Sequence, residues 1–257
     1  MSAASPNFWR DRLQASAIHL AISLAIAMLA ALLVFGVWYP YPYRELSGGR
    51  ELFLILVSVD VILGPLITLT VFNRSKPWTE LRRDLAMVAT VQLAALGYGL
   101  WTVSVARPVH MVFEIDRFRV VHAIDVPIDL LDKTQAGITA LPITGPTMLS
   151  LRDFRDGQEK IEYTMAALQG ISLGARPDLW QSYANGVPAI LKEAKQVTTL
   201  MGRHPDQVDA INQMLKEAGR NPGTALYLPL VGRKSFWTVF LDPVTAEPVG
   251  FLPLDSF

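Results

Sequence analysis

The chain has 257 residues, is 51% hydrophobic, carries 23 basic against 23 acidic side chains and has a mean hydropathy of +0.30. That apolar content is high for a soluble domain and low for a chain lying wholly in a membrane. The even charge argues against nucleic acid as a partner, whose usual footprint is a basic face. The absence of cysteine excludes disulfides, thiolate catalysis and Cys-based zinc sites.

The apolar residues are concentrated in three runs before residue 107. The first, residues 15–38, follows Arg10 and Arg12 and ends in the aromatic cluster "VWYPYPY". It is too long for the apolar core of a secretory signal, and its aromatic end suits the headgroup level, so it reads as a retained spanning helix. The second, residues 51–72, carries Asp60 near its middle and Gly64-Pro65 four residues on. The third, residues 85–105, contains Gln92, Tyr98 and Trp101. Arg10, Arg12, Arg74, Lys76, Arg82 and Arg83 flank one side of these runs, against Arg44 and Arg50 on the other. This bias predicts a cytoplasmic N-terminus and, after three crossings, a periplasmic domain in a bacterium with two membranes. Residues 1–106 then form the membrane region and residues 107–257 the external domain. The short cytoplasmic segments have no room for a nucleotide-binding, kinase or DNA-binding module, and neither GxxxxGK[ST] nor GxGxxG occurs.

An aspartate at the centre of a spanning helix costs about 2.5–3.5 kcal/mol on insertion scales, while each Leu, Ile, Val or Phe near the centre contributes about 0.3–0.6 kcal/mol. With fifteen such residues in residues 51–72, insertion wins. Asp60 is expected about 18 Å from the cytoplasmic end at 1.5 Å per residue, level with Tyr98 and out of reach of a shallower His19. Pro65 removes an N–H and bends the helix. Helical spacing lines up Asp60, Gly64 and Thr68 as a small, polar strip suited to close helix contact. Two readings stand: Asp60 tied to Tyr98 within the bundle, or the strip receiving a partner's transmembrane helix.

After Arg107, "PVHMVFEIDRFRVVHAIDV" alternates as a hairpin turning at Asp116-Arg117, with Glu114 opposite Arg119 and Val112 opposite Val121. His110 and His122 then point to opposite faces and cannot share a metal. His122 reads as a core histidine with a partner, and His204 as part of a loop or helix entry. "DGQEKIEYTMAALQG", "RPDLWQSYANGVPAILKEAKQVTTL" and "HPDQVDAINQMLKEAG" show helical spacing, with Gly170 and Gly219 at ends, Pro177 and Pro205 at entries and Pro188 as a break or kink. "ALYLPLVGR", "SFWTVFLD" and "PVGFLPLD" return to strands. The expected fold is three transmembrane α-helices followed by a periplasmic α+β domain with an antiparallel sheet and inserted helices. Asp153, Asp156, Glu159 and Glu162 cluster as a solvated loop and first helical turn, and no GxSxG or HExxH appears, so the domain reads as a binding module and not an enzyme.

The motifs WYPxPY, GGRELF, VDxxLGPxxTxxVFN, LRRDL and ARPVxxVFExDRF occur in order between residues 38 and 118. Together they resemble the TfpX/TfpZ-type accessory proteins of type IV pilins. The resemblance implies an inner-membrane protein that modulates pilin level or pilus assembly, with the pilin's transmembrane helix and globular head as partners beside the lipid bilayer. It brings no catalytic residue, cofactor or metal. It assigns no site residues; Asp60, Gly64, Pro65, Thr68 and Tyr98 are candidates from the physical reading alone. Because the pilin helix characteristically bears a glutamate, direct pairing with Asp60 requires a shared proton. The competing expectation is a periplasmic binding or sensing subunit of a membrane complex.

Overall fold

The structure is a computed structural model that describes residues 6–257; residues 1–5 of the membrane region lie outside the described residues. The chain divides into two compact units. In the first, helix α1 (Pro6–Leu33) continues into a wide π turn at Val34–Trp38. The short helix α2 (Tyr43–Leu46) precedes α3 (Gly49–Ser58), a second π turn at Val59–Leu63, α4 (Gly64–Val71) and the long α5 (Trp78–Val105). Three helical stretches, Phe8–Trp38, Gly49–Val71 and Trp78–Val105, are long and apolar enough to cross a membrane. The first and third begin well before the apolar runs at residues 15 and 85. Polar turns around Arg10 and Arg12, and around Glu80, Arg82 and Arg83, are good helix formers and extend both helices beyond the apolar segment. At the start of α5, Lys76 pairs with Asp84 at 2.7 Å and Glu80 at 3.5 Å, fixing the preceding loop to the first two turns.

The second unit holds β1 (Pro108–Glu114), β2 (Arg117–His122), β3 (Thr147–Leu151), α6 (Gly157–Leu168), β4 (Trp180–Ser182) and α7 (Tyr183–Glu193). It continues with β5 (Lys195–Gln196), α8 (Val197–Arg203), α9 (Val208–Glu217), β6 (Leu226–Val231), β7 (Phe236–Leu241) and β8 (Pro248–Leu252). The strands form one sheet in the order β4-β3-β1-β2-β6-β7-β8, with β5 added against β6. The α+β class with inserted helices is as expected, and antiparallel pairing dominates. β1 with β3 and β2 with β6 run parallel, because long connections return the chain in the same direction.

Both sheet faces are covered. Met111, Phe118, Leu228 and Val239 pack beneath Ile190 of α7. Val112, Val121, Leu149 and Trp180 pack on the opposite side, and Leu200, Ile211 and Leu215 of α8 and α9 close over Tyr227 and Phe240. The predicted polar face of the hairpin is therefore interior: His110 is fully buried and Glu114 is 5% exposed. Glu114 is held by Arg119 at 2.5 Å and by the Gly174 N–H at 2.8 Å. The hairpin also turns one residue earlier than expected, pairing Glu114 with Arg117 and Val112 with Arg119 and placing Ile115 at φ 58°. The expected helix over residues 176–200 is instead β4, α7, β5 and α8 in succession. Pro188 lies inside α7 without ending it, and Gly186 lets α7 approach β3 so closely that a Cβ there would sit 2.4 Å from Ser150. His122 does have a partner, Asp125 at 3.0 Å, which also accepts Arg233 at 2.7 Å.

Residues Trp38–Gly48, assigned by sequence to the membrane region, belong to the second unit. Tyr43 and Leu46 are members of its main core, and the Tyr43 hydroxyl contacts the Met111 sulfur at 3.6 Å. A Cβ on Gly232 would lie 2.7 Å from Leu46 Cδ2, so only glycine permits the fit. The aromatic loop is thus a core element. Leu46→Ala is expected to destabilise the second unit by about 2–5 kcal/mol, read as an earlier tryptophan-fluorescence unfolding transition. Tyr41→Ala, at a residue 55% exposed, is expected to stay within about 0.5 kcal/mol.

His110 yields a pH prediction. Its Nε2–H donates to the Ala140 carbonyl at 2.9 Å and its Nδ1 accepts from the Thr147 hydroxyl at 2.7 Å, so the buried ring is neutral. Burial pushes its pKa down to about 4 from the usual 6.5. The unfolded chain binds this proton first, so stability is full above about pH 6.5 and falls as the pH drops towards 4, by about 3 kcal/mol from this group. His110→Gln is expected to flatten unfolding midpoints measured between pH 4 and 6.5.

Candidate functional site

In the first unit, Pro65 has no N–H to offer the Val61 carbonyl. The π turn at Val59–Leu63 widens the helix immediately before it, offering displaced carbonyls a donor one residue further along. The Ser16 hydroxyl of α1 donates to the Pro65 carbonyl at 2.9 Å. One turn further, Thr68, 2% exposed, pairs with His19 Nδ1 at 2.5 Å. Between them Gly64 admits both neighbouring helices: a Cβ there would meet Gln92 Nε2 of α5 at 2.0 Å and His19 Nε2 of α1 at 3.1 Å. Gly99, two turns along α5 from Gln92, likewise receives Leu56 of α3, whose Cδ1 would lie 2.1 Å from an added Cβ. Small residues thus set the helix approaches, as expected where lipid supplies no hydrophobic drive between helices.

The structure brings Gly64, Pro65 and Thr68 together with Ser16, His19 and Gln92. Asp60 sits one turn from Gly64 in the π turn, partly exposed, and its Oδ1 is buried without a hydrogen-bond partner. His19 is held instead by Thr68, two turns along the helix from Asp60. Tyr98, the expected partner of Asp60, is 69% exposed and lies against Trp101 with ring centroids 5.8 Å apart. The cause is helical phase. Gln92 and Gly99 are seven residues apart and share the face turned to α3 and α4, while Tyr98 is about 100° away from it. Ser16 and His19 carried a readable signal that depth counting obscured: Ser16, His19, Ser23 and Ala30 recur at helical spacing, and the last two are buried.

Beside this junction α1 and α5 leave a groove of roughly 840 Å³, floored by His19 and Thr68. Ile18 and Ile22 of α1 and Leu85 and Val88 of α5 form its walls, and Asp11, Arg74, Lys76 and Trp78 line its far end.

In the second unit, the carboxylate cluster serves local structure. Asp156 caps α6 through the Glu159 N–H at 2.8 Å, and Glu159 takes a two-pronged Arg152 at 2.8 and 3.0 Å. The Arg152 hydrogen bonds, joined by the Arg155 N–H, hold the Glu159 carboxyl down to about 2. Tyr163 of α6 donates to Asp178 at 2.7 Å, and Arg176 covers the Tyr163 ring at 4.0 Å.

A family model described as "Fimbrial assembly protein FimB" matches residues 7–48, which span α1 and the aromatic loop. The serogroup I fimbrial assembly protein of Dichelobacter nodosus is 35% identical over 229 residues, covering 88% of this chain and 89% of that protein. The chain belongs to the fimbrial assembly protein family. A second member, from serogroup E1 of the same organism, is 33% identical over the same shares. A third, from serogroups C1 and C2, is 40% identical over 116 residues, 45% of this chain and 88% of that protein. No solved structure matches.

The close approach at Gly64 predicts a graded response. Gly64→Leu is expected to force α1 and α5 off α4, costing about 1–3 kcal/mol or more by overpacking and lowering the yield of monodisperse protein in detergent. Thr68→Val keeps the shape and removes only the His19 hydrogen bond, an interaction worth about 0.6–1.7 kcal/mol between membrane helices. It is expected to lower the melting temperature without loss of yield.

Proposed function

We propose that this protein is an inner-membrane accessory factor of type IV pilus assembly, of the TfpX/TfpZ type, that binds the pilin and performs no catalysis of its own. The observation that carries this reading is the likeness to fimbrial assembly proteins along nearly the whole chain. The lysine and arginine bias supports a cytoplasmic N-terminus and a periplasmic second unit. A pilin before assembly has an apolar helix in the bilayer and a globular head outside. A factor with one unit in each compartment can grip both, and the second contact gains effective concentration from the first.

Asp60 is the contact we assign to the pilin helix. Gly64, Pro65 and Thr68 are engaged by α1 and α5, whereas Asp60 Oδ1 has no hydrogen-bond partner. Deletion of the gene is expected to reduce pilin in membrane fractions or in sheared surface fractions on immunoblots; normal amounts in both would overturn the accessory role. Asp60→Leu is expected to leave the level of the protein intact while cutting co-purified pilin about tenfold, equivalent to about 1.4 kcal/mol of binding. Unchanged capture would remove Asp60 from the contact and leave the role itself standing.

A further inference from the structure

We propose that the groove between α1 and α5 is a binding site for one phospholipid with a zwitterionic, phosphoethanolamine-type headgroup. The inference stands independently of the pilin reading.

Length comes first. The lining residues run from Asp11 to Ile22 on α1 and from Trp78 to Ala89 on α5, about 16 Å along each helix at 1.5 Å per residue. The hydrocarbon core of a bilayer is about 30 Å thick. The groove is therefore one leaflet deep, the reach of lipid acyl chains, and half the length that a spanning helix from another protein would need. It ends where α1 and α5 are both drawn onto Gly64 through His19 and Gln92.

Charge decides the headgroup. Arg74 and Asp11 face each other at the open end, 3.3 Å apart, with the Arg74 side chain 76% exposed. Asp11 is 22% exposed and fixed in place, so the pair opens by movement of the exposed arginine, at the small cost of a solvent-facing ion pair. A phosphate taken by Arg74 and an ammonium taken by Asp11 would leave both protein charges paired. An anionic headgroup lacking the ammonium would set its phosphate near an uncompensated carboxylate. The neighbouring cation, Lys76, is already engaged by Asp84 at 2.7 Å and Glu80 at 3.5 Å. Trp78, 68% exposed at the same end, is the residue type that sits at the headgroup level of a bilayer.

The test uses the full chain in nanodiscs containing equal amounts of phosphatidylethanolamine and phosphatidylglycerol, released into native mass spectrometry. One phosphatidylethanolamine per chain is expected to remain. Ala89→Trp, which fills the groove from α5, is expected to cut the lipid-bound fraction at least tenfold, and Ile18→Trp from the facing wall is expected to do the same if Ala89→Trp fails to fold. Leu29→Trp, on an α1 position 68% exposed and outside the groove lining, is expected to retain the lipid. Asp11→Asn is expected to shift the bound ratio towards phosphatidylglycerol. Retention indifferent to the groove-filling variants would overturn the site, and a wild-type preference for phosphatidylglycerol would overturn the headgroup assignment.

Discussion

A proline inside a membrane helix leaves a carbonyl without its donor in a solvent that offers none, and the membrane-spanning unit is organised around that deficit. Every backbone polar group in lipid must be satisfied internally. The chain meets this with a π turn before Pro65; beside it a serine hydroxyl from α1 donates to the Pro65 carbonyl and a glycine at position 64 admits both neighbours. Gly64 lets His19 of α1 and Gln92 of α5 come close, and without the wide turn Asp60 would lie in a different rotational phase. The convergence of α1 and α5 on one point of α4 also explains the groove beside it, since helices drawn together at one depth leave a gap where they part.

The second unit depends on a different constraint, the burial of both faces of one sheet. A strand covered on a single face alternates, and that alternation made the hairpin after Arg107 legible. Cover on the second face is not announced by that alternation, so His110 and Glu114 read as outward-facing when both are interior. Turn rules failed at one residue for a related reason. They reject an isoleucine at positive φ, yet Ile115 occupies that position, and the sequence reading moved the turn to Asp116-Arg117. Pro188 does not break α7: in mid-helix it forfeits one hydrogen bond, while Gly186 two residues before it secures close packing on Ser150. The aromatic cluster at residues 37–43 reads, from composition alone, as suited to the headgroup level. Its burial against β6 and β7 becomes visible only once Gly232 and Leu46 are placed in contact.

Within the membrane unit, residue type was more legible than residue partnership. Hydropathy gave three spans, and spacing gave the small, polar strip on the second. Partners depend on rotational phase and depth, which a single sequence constrains weakly. Counting depth kept His19 away from Asp60, and the structure sets it against Thr68 and Gly64, nearer the end of the second span. Tyr98 was preferred to Gln92 on depth, and a phase difference of about 100° turned it outward. The heptad recurrence of Ser16, Ser23 and Ala30 on α1, and of Gln92 and Gly99 on α5, was the better guide, since small and polar residues at that spacing mark the faces that meet.

These contacts divide the strip into residues explained by the chain itself and one that is not. Gly64 is explained by close approach, Pro65 by the π turn and Ser16, and Thr68 by His19. Asp60 has no such account. Its insertion cost of about 2.5–3.5 kcal/mol is offset by the apolar residues around it, but an aspartate is not needed to shape the turn, and its Oδ1 makes no hydrogen bond. Removing a buried polar atom that lacks a partner would ordinarily stabilise a fold. An ionisable residue kept inside a membrane span against its own insertion cost marks a functional position by default. The π turn supports the same assignment, because such turns gather at functional sites where they re-aim a side chain. Pro65 accounts for the turn; the carboxylate within it, with no hydrogen bond on its Oδ1, is what makes Asp60 the residue of the strip proposed to meet a partner.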